Sequence, residues 1–132
     1  MRSWRWVKPS LVYAVHDIQL ARYGGVAGLR DKNAVESALA RARQLATHGS
    51  PQPDAAALAA SYAYGIVHNH GFSDGNKRTA WVTARVFLLD NGETLKYAQV
   101  EVMRPMRGVA AGNFDEKQLA EWLRCHWSHV TP

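Results

Sequence analysis

Hydrophobic positions along most of the chain recur every three or four residues, which is the spacing that places them on one face of an α-helix. Strict alternation of apolar and polar residues, which is typical of strands, is weak outside the stretch from Thr94 to Tyr97 and the loop at 47–53. No internal repeat or low-complexity segment occurs. The pattern therefore predicts an all-α bundle of about six or seven helices with at most a small hairpin.

Local start and stop signals place four of these helices. Pro9 suits the first position of a helix, and Asp31 and Asp54 suit the N-cap position that precedes one. Gly24 and Gly92 follow the first and fourth apolar runs, where glycine commonly ends a helix. The predicted helices run from Pro9 to Gly24, from Lys32 to about Ala46, from Ala55 to about Asn69 and from Asn76 to about Asp90.

The fourth helix is apolar on nearly all sides, since it carries Trp81, Val82, Val86, Phe87, Leu88 and Leu89. A helix without a polar face is buried, so we expect this helix at the centre of the bundle. The first helix has a broad apolar face formed by Leu11, Val12, Val15 and Ile18.

Two further helical stretches lie near the end of the chain. The segment from Val100 to Gly112 is helical in composition, but Pro105 lacks the N–H that a helix interior needs, so we expect a kink or two short helices there. Asp115 and Gln118 form a capping-box pattern that starts the last helix. That helix is expected to turn inward Leu119, Trp122, Leu123 and Trp127, and to carry near the chain end, as exposed residues, Cys125, His126 and His129.

Length and cysteine content predict one globular domain in a reducing compartment. The 132 residues, 47% of them hydrophobic, are enough for a single domain over 1–132 with a short N-terminal arm at 1–8. Cys125 is the single cysteine, so no internal disulfide can form. The sequence shows neither a signal-peptide core nor about 18 consecutive apolar residues. We therefore expect a cytoplasmic protein with no membrane partner.

The net charge of +5 favours an anionic ligand, which could be a nucleic acid or a small molecule. Basic residues are scattered, with no run of five or more. Only the arm, with Arg2, Arg5 and Lys8 beside Trp4 and Trp6, is similar to a basic patch, and the packing of two tryptophans on the core explains it more simply. Direct nucleic-acid binding is therefore not expected.

The candidate chemistry lies between the third and fourth helices, from His68 to Ala80. A loop that opens into a helix binds anions, because the first N–H groups of the helix point outward and the macrodipole is positive there. Lys77 and Arg78 stand in that first turn, where a cation is normally disfavoured, so an anionic ligand should offset them. His70 follows the C-terminal end of the third helix, which raises the basicity of a histidine.

These residue types fit an enzyme that binds a nucleoside triphosphate with Mg²⁺ and transfers part of it to a hydroxyl. His70 would take the proton of that hydroxyl, and Asp74 would hold Mg²⁺, a hard cation that prefers carboxylate and phosphate oxygens. The N–H groups from Gly75 to Lys77 and the amide of Asn76 would bind phosphate oxygens. Arg78 would neutralise the charge that develops during transfer.

Simpler interpretations of the same residues stay open. Asp74 followed by Gly75 is also a common N-cap and turn, and Phe72 also reads as an apolar plug that holds the loop on the core. His68 and His70 lack further ligands at a zinc-like spacing. The alternative to an enzyme is a non-catalytic basic module that only binds phosphate or nucleic acid.

The stretch His70-Gly71-Phe72-Ser73-Asp74-Gly75-Asn76-Lys77-Arg78 resembles the H-x-F-x-[DE]-[GA]-N-[GK]-R signature of the Fic/Doc family, in its Doc (death-on-curing) form. Upstream, the blocks around His16-Asp17 and Tyr23-Gly24-Gly25 are similar to those of Doc proteins, and so is Gly112-Asn113-Phe114 downstream. The resemblance covers about Pro9 to Trp127.

This resemblance implies a compact Fic-like bundle and a Doc-like toxin of a toxin–antitoxin system, which modifies a translation factor such as elongation factor Tu. It also implies ATP with Mg²⁺, His70 as catalytic residue, Asp74 at the metal, Phe72 in a structural role, and Gly75, Asn76, Lys77 and Arg78 at the nucleotide. A flap near the 47–54 loop would hold the target segment. Other Fic proteins attach AMP to target hydroxyls, which is the alternative reaction.

Departures from the family pattern bear on which reaction occurs and on how the protein is regulated. AMP-transferring members usually have glycine where this chain has Lys77, and many have a second arginine where it has Trp81. The Lys77 departure favours phosphoryl transfer over AMP transfer, and the Trp81 departure argues against a second arginine clamp. The inhibitory [ST]-x-x-x-E-[GN] motif that many Fic proteins carry is not present in this sequence, so the resemblance implies an antitoxin that acts in trans.

Overall fold

The computed structural model describes residues 3–29, 31–69, 71–95 and 103–129. In these ranges the chain forms six α-helices and two short strands, in the order α1 (Pro9–Tyr23), α2 (Lys32–His48), α3 (Ala55–Asn69), α4 (Asn76–Asp90), β1 (Glu93–Leu95), α5 (Met103–Ala111), α6 (Glu116–His126) and β2 (Trp127–His129). The predicted all-α bundle is confirmed.

Helix starts follow the local capping chemistry that the sequence indicates. The Asp31 carboxylate accepts the Ala34 N–H at 3.2 Å, and the Asp54 carboxylate accepts the Ala57 N–H at 2.9 Å. At α6 the capping box is complete in both directions, because Asp115 Oδ1 accepts the Gln118 N–H while Gln118 Oε1 accepts the Asp115 N–H.

The most buried helix is α3, where the sequence pattern pointed to α4. Eleven of the 15 residues of α3 are buried, and the helix packs against α2, α4, α5 and α6. Its alanines and Gly65 allow this, since a Cβ on Gly65 would lie only 3.1 Å from the Ala38 Cβ of α2. One side of α4 faces solvent, where Leu89 is 59% exposed and Arg85 is also exposed.

The first helix buries a narrower face than its apolar residues predict. It buries Val12, Val15 and His16, while Leu11 and Ile18 are 38% and 58% exposed. The N-terminal arm behaves as the simpler interpretation expects, because the rings of Trp4 and Trp6 both lie 6.0 Å from the Phe87 ring.

Pro105 lies in the first turn of α5 and does not divide a helix within the described residues. The expected division into two short helices is therefore wrong for that part of the segment. The physical reason is that the first N–H groups of a helix have no intrahelical acceptor, so a proline at this position costs no hydrogen bond. Residues 100–102 of the predicted segment lie outside the described residues.

The chain end departs from the predicted last helix. Helix α6 ends at His126, and the next residues, Trp127–His129, form β2. This strand pairs antiparallel with β1, so that Glu93 lies opposite His129. The predicted helical positions of Trp127 and His129 are therefore wrong. The expected strand at 94–97 is partly present as β1, but it pairs with the chain end rather than with a neighbouring hairpin strand; residues 96 and 97 lie outside the described residues.

The loop at 47–53, the other candidate for a strand, contains none. Within the described ranges, no helix combines the length and the apolar character needed to cross a membrane.

Candidate functional site

Residues 71–75 connect α3 to α4 and form one loop of the candidate site. A second loop, residues 24–29 after α1, lies against it. Leu29 forms an isolated antiparallel bridge with Phe72, and the Ser73 N–H donates to the Gly28 carbonyl at 3.1 Å. The start of α2 joins the same network, because the Asp31 N–H donates to the Gly71 carbonyl at 2.9 Å. Backbone hydrogen bonds from distant parts of the chain thus fix the shape of the 71–75 loop.

The 47–54 loop, where a flap beside the site was expected, lies elsewhere. The loop precedes α3, whereas the site follows α3. Because α3 has 15 residues, its two ends lie roughly 22 Å apart. The 47–54 expectation is therefore wrong. The segment that does lie beside the site is the 24–29 loop.

Phe72 anchors the site loop in the core. Its side chain is 2% exposed, its ring stacks on the His16 ring with 3.8 Å between centroids, and the edge of Tyr13 approaches at 6.0 Å. Stacked and edge-on aromatic contacts of this kind add to the free energy gained by burial. The loop is consequently held from below by two side chains of α1.

His16 also holds the loop through a hydrogen bond. Its ring is 3% exposed, and Nε2 lies 2.7 Å from the Asp74 carbonyl oxygen. Because a carbonyl can only accept, Nε2 is the nitrogen that carries the proton. His16 falls in a block that is similar to those of Doc proteins, but the sequence alone assigns it no role. A histidine within an apolar helix face was the available signal.

Asp74 is an exposed carboxylate that both neighbouring loops hold in place. Oδ2 accepts the Val26 N–H at 3.2 Å, and Oδ1 accepts the Gly75 N–H at 2.8 Å. These two bonds, the Val26 bond first, hold the pKa of Asp74 below its ordinary value, with a smaller contribution from the positive charge of Arg78. The side chain is therefore ionised at neutral pH, as a metal ligand must be.

The Val26 contact requires a glycine in the 24–29 loop. Gly25 has φ +126°, and a Cβ on it would lie 2.9 Å from Asp74 Oδ2. Gly24 ends α1, as predicted, but its neighbour has a second use, which is to let the backbone approach the carboxylate.

The N-cap of α4 is Gly75, with φ 79°, and not Asp74. Gly75 makes no side-chain cap bond, and the first helical hydrogen bond of α4 runs from the Thr79 N–H to the Gly75 carbonyl. The N–H groups of residues 76–78 precede that bond, so they have no acceptor within the helix. They are the donors that an anion at this position would use.

Asn76 has a more structural position than the sequence indicated. Its Oδ1 accepts the Phe72 N–H at 3.2 Å, and its Nδ2 donates to the Phe72 carbonyl at 3.0 Å. The amide therefore closes the loop on itself. One N–H of Nδ2 is left for a ligand.

Lys77 and Arg78 are exposed in the first turn of α4, as the sequence predicts. The Arg78 guanidinium lies over the ring of Tyr23, 4.4 Å from its centroid, at the C-terminal end of α1. A cation over an aromatic face is attracted by the ring quadrupole. Tyr23 thus orients a residue of the site, a role that its sequence position did not reveal.

A cavity of about 440 Å³ lies at the start of α4. Its lining includes Ser73 and the loop-to-helix residues 74–78, with Val67 of α3. Two residues of α5, Arg107 and Ala110, also line the cavity. The sequence does not connect α5 with the site, because the two are about 30 residues apart and no motif joins them.

His70 lies outside the described residues, but both of its chain neighbours are held by α2. Asn69 Nδ2 donates to the Ala34 carbonyl at 3.0 Å, and the Gly71 carbonyl accepts from Asp31. A Cβ on Gly71 would lie 2.3 Å from Val35 Cγ2, so only glycine fits there. His68 has a separate position, since its ring stacks on Tyr64 with 4.1 Å between centroids.

The donor set fits Mg²⁺ bound together with a phosphorylated ligand rather than a metal held by protein alone. Asp74 offers one carboxylate whose oxygens each keep lone pairs beyond the one used for a backbone N–H. Within the described ranges, no group of three or more His, Cys, Asp or Glu side chains could hold a metal ion. Mg²⁺ commonly takes one or two carboxylates and completes its octahedron with phosphates and water.

Comparison with known proteins gives a consistent result. A sequence model of the Fic/DOC family matches residues 6–88. The chain is 30% identical over 120 residues to "Protein kinase doc" of Escherichia phage P1, covering 91% of this chain and 94% of that protein. It is 36% identical over 104 residues to "Toxin Doc" of Mycolicibacterium smegmatis, covering 76% of this chain and 79% of that protein.

Proposed function

This chain belongs to the Fic/Doc family, and we propose that it is a Doc-type toxin that transfers the γ-phosphoryl group of Mg-ATP to a hydroxyl side chain of a target protein. The name of the phage P1 relative, "Protein kinase doc", supports this reaction. The name of the mycobacterial relative, "Toxin Doc", supports the role of a toxin.

One observation carries the proposal, which is the composition of the cavity at the start of α4. Lys77, Arg78 and the free N–H groups of the first turn provide positive charge and donors, and Asp74 provides an ionised carboxylate beside them. A bare anion would gain nothing from the carboxylate. A phosphate chain carrying a divalent cation satisfies both groups.

The proposed reaction assigns each residue a separate task. The oxygen of the target hydroxyl attacks the γ-phosphorus while His70 accepts its proton, and the bond from the γ-phosphorus to the bridging oxygen breaks to leave ADP. Arg78, oriented by Tyr23, neutralises negative charge on the transferred group. The N–H groups at the start of α4 bind the phosphate oxygens. Mg²⁺, held by Asp74, would supply charge neutralisation along the phosphates.

Lys77 supports phosphoryl transfer over AMP transfer. It is exposed at the second position of α4 and lines the cavity. A lysine adds bulk and fixed charge where a glycine would let the α- and β-phosphates lie close to the helix start. The nucleotide is therefore proposed to bind with its γ-phosphate towards His70.

The target and the regulator follow from the family resemblance. We propose a translation factor such as elongation factor Tu as the target, and a separate antitoxin that inhibits in trans. Both belong to the cytoplasm, where a single Fic/Doc domain over 1–132 would act.

ATP labelled at either its γ- or its α-phosphorus, incubated with the protein and a cell lysate, tests the reaction. Label from the γ position alone on one target protein is the expected result, and His70→Ala is the control that should remove it. Label from the α position alone would establish AMP transfer instead. Absence of both labels, together with Mg-ATP binding, would favour a non-catalytic phosphate-binding module.

A further inference from the structure

The cavity at the start of α4 has a second wall, which α5 forms. Arg107 and Ala110 both line the cavity, and residues three positions apart lie on the same face of a helix. The small side chain of Ala110 leaves space beside the longer Arg107. Hence α5 contributes one cation, and free space beside it, to the cavity that Lys77 and Arg78 line from α4.

The charges around this cavity do not balance. Lys77, Arg78 and Arg107 line it, and Asp74 is the one acidic residue among the described residues of its lining. Both oxygens of that carboxylate already accept backbone N–H groups. Among the described residues, no ion pair joins Arg107 to a carboxylate. An excess of positive charge at a concave surface fits a ligand with several negative charges.

The second turn of α4 cannot provide this additional cation. Trp81, one turn after Arg78, is 3% exposed, and its ring packs edge-on against Trp122 at 5.7 Å between centroids. Arg78 itself is held towards α1 by Tyr23. A cation that reaches the cavity from another direction must therefore come from a different helix, and Arg107 of α5 is in that position.

We propose that Arg107 is a third phosphate-binding cation, which contacts the phosphate chain of the nucleotide from the α5 wall of the cavity. This inference rests on the proposed function, because it takes a nucleoside triphosphate as the ligand. Guanidinium binds phosphate through two parallel hydrogen bonds, which gives orientation as well as affinity. Arg107 would thus fix the direction in which the triphosphate lies.

Titration calorimetry with three ligands tests this assignment: Mg-ATP, magnesium tripolyphosphate and adenosine. Arg107→Ala should weaken binding of ATP and of tripolyphosphate on the order of tenfold and leave adenosine binding unchanged. Arg107→Lys keeps the charge but not the paired hydrogen bonds. Its affinity for ATP and tripolyphosphate should therefore lie between those of the wild type and of Arg107→Ala. Arg104→Ala is the matched control, because Arg104 is exposed on the same helix and does not line the cavity.

The outcomes separate this inference from the proposed function. Wild-type protein that binds no Mg-ATP would overturn both. Wild-type binding with an unchanged affinity in Arg107→Ala would overturn the inference alone. Equal losses of ATP affinity in Arg104→Ala and Arg107→Ala would show that only net charge matters, which would overturn the phosphate assignment. A loss of adenosine affinity alone in Arg107→Ala would show that Arg107 contacts the nucleoside, which would also overturn it. Thermal unfolding of each variant shows that the fold is intact.

Discussion

The Asp74 carboxylate is both a candidate ligand and an acceptor for the loops that surround it. Its two backbone hydrogen bonds explain why the carboxylate stays ionised, and they tie the 24–29 loop to the start of α4. These two roles of Asp74 can be separated experimentally only by a substitution that removes one role and keeps the other.

Asp74→Asn is such a substitution, since an amide oxygen can still accept one backbone N–H but binds Mg²⁺ weakly. We expect this variant to lose the Mg²⁺ dependence of ATP affinity and to unfold near the wild-type temperature. Calorimetric titration with and without Mg²⁺ measures the first effect. Wild-type Mg²⁺ dependence in Asp74→Asn would leave the carboxylate with a purely structural role.

His70 is the candidate base, and its assignment rests on the sequence. His70→Ala should abolish labelling of the target while ATP affinity and thermal stability stay near normal, because the anion-binding groups belong to α4. The matched control is His68→Ala, since His68 stacks on Tyr64. Target labelling, measured on both variants, decides between them. Loss of labelling in His68→Ala but not in His70→Ala would reverse the assignment.

At the scale of helices and strands, predictability from sequence follows the range of the interactions involved. Asp31, Asp54 and Asp115 act on N–H groups three residues away, so the starts of α2, α3 and α6 could be read from the sequence. The start of α4 and its exposed cations were equally local. These features needed no knowledge of the rest of the fold.

Contacts between distant segments could not be predicted in this way. The 24–29 loop meets Phe72 and Ser73 across more than 40 residues, and Arg107 reaches the cavity from α5. No periodicity encodes such approaches. The order of burial was missed for the same reason: apolar composition favoured α4, whereas the small residues of α3 let more helices pack around it.

Gly71 marks the place where one such contact is closest. Gly71→Ala places a Cβ 2.3 Å from Val35 Cγ2, and should destabilise the fold by about 1–3 kcal/mol through overpacking. Chemical denaturation measures this loss. Val35→Ala removes the clashing methyl, so the double variant should be less destabilised than the sum of the two single variants. Strict additivity would show that the added Cβ does not meet Val35.

At the scale of the whole molecule, an ion pair joins the start of α3 to α6. Arg124 binds both oxygens of Asp54, with Nε at 2.6 Å and Nη2 at 2.9 Å, and also pairs with Glu121. The hydrogen bonds from Arg124 are the main reason that the pKa of Asp54 lies below its ordinary value. Since Asp54 also caps α3, this one side chain connects helix formation with the packing of α6.

A lowered folded-state pKa means that the Asp54 carboxylate stabilises the fold above its unfolded pKa, about 3.9, and that this stabilisation is lost as pH falls through the folded value. Asp54→Asn keeps the cap and removes the charge. We expect it to cost about 1 kcal/mol or less at pH 7, since both side chains are partly exposed. Melting temperatures of the two proteins should converge below about pH 4. A constant gap down to pH 3 would contradict the linkage.

The hydrogen bond from the Val26 N–H to Asp74 also allows ligand binding in the cavity at the start of α4 to be detected through amide exchange. The Val26 amide is protected from solvent deuterium only while Oδ2 accepts it, and a metal ion bound at another lone pair of that oxygen would draw electron density from it and weaken this hydrogen bond. Filling the cavity should therefore change the exchange rate of this single amide, on a residue that lies 48 positions from Asp74 in the chain. Amide exchange at Val26 would register ligand arrival without any chemical label on the protein.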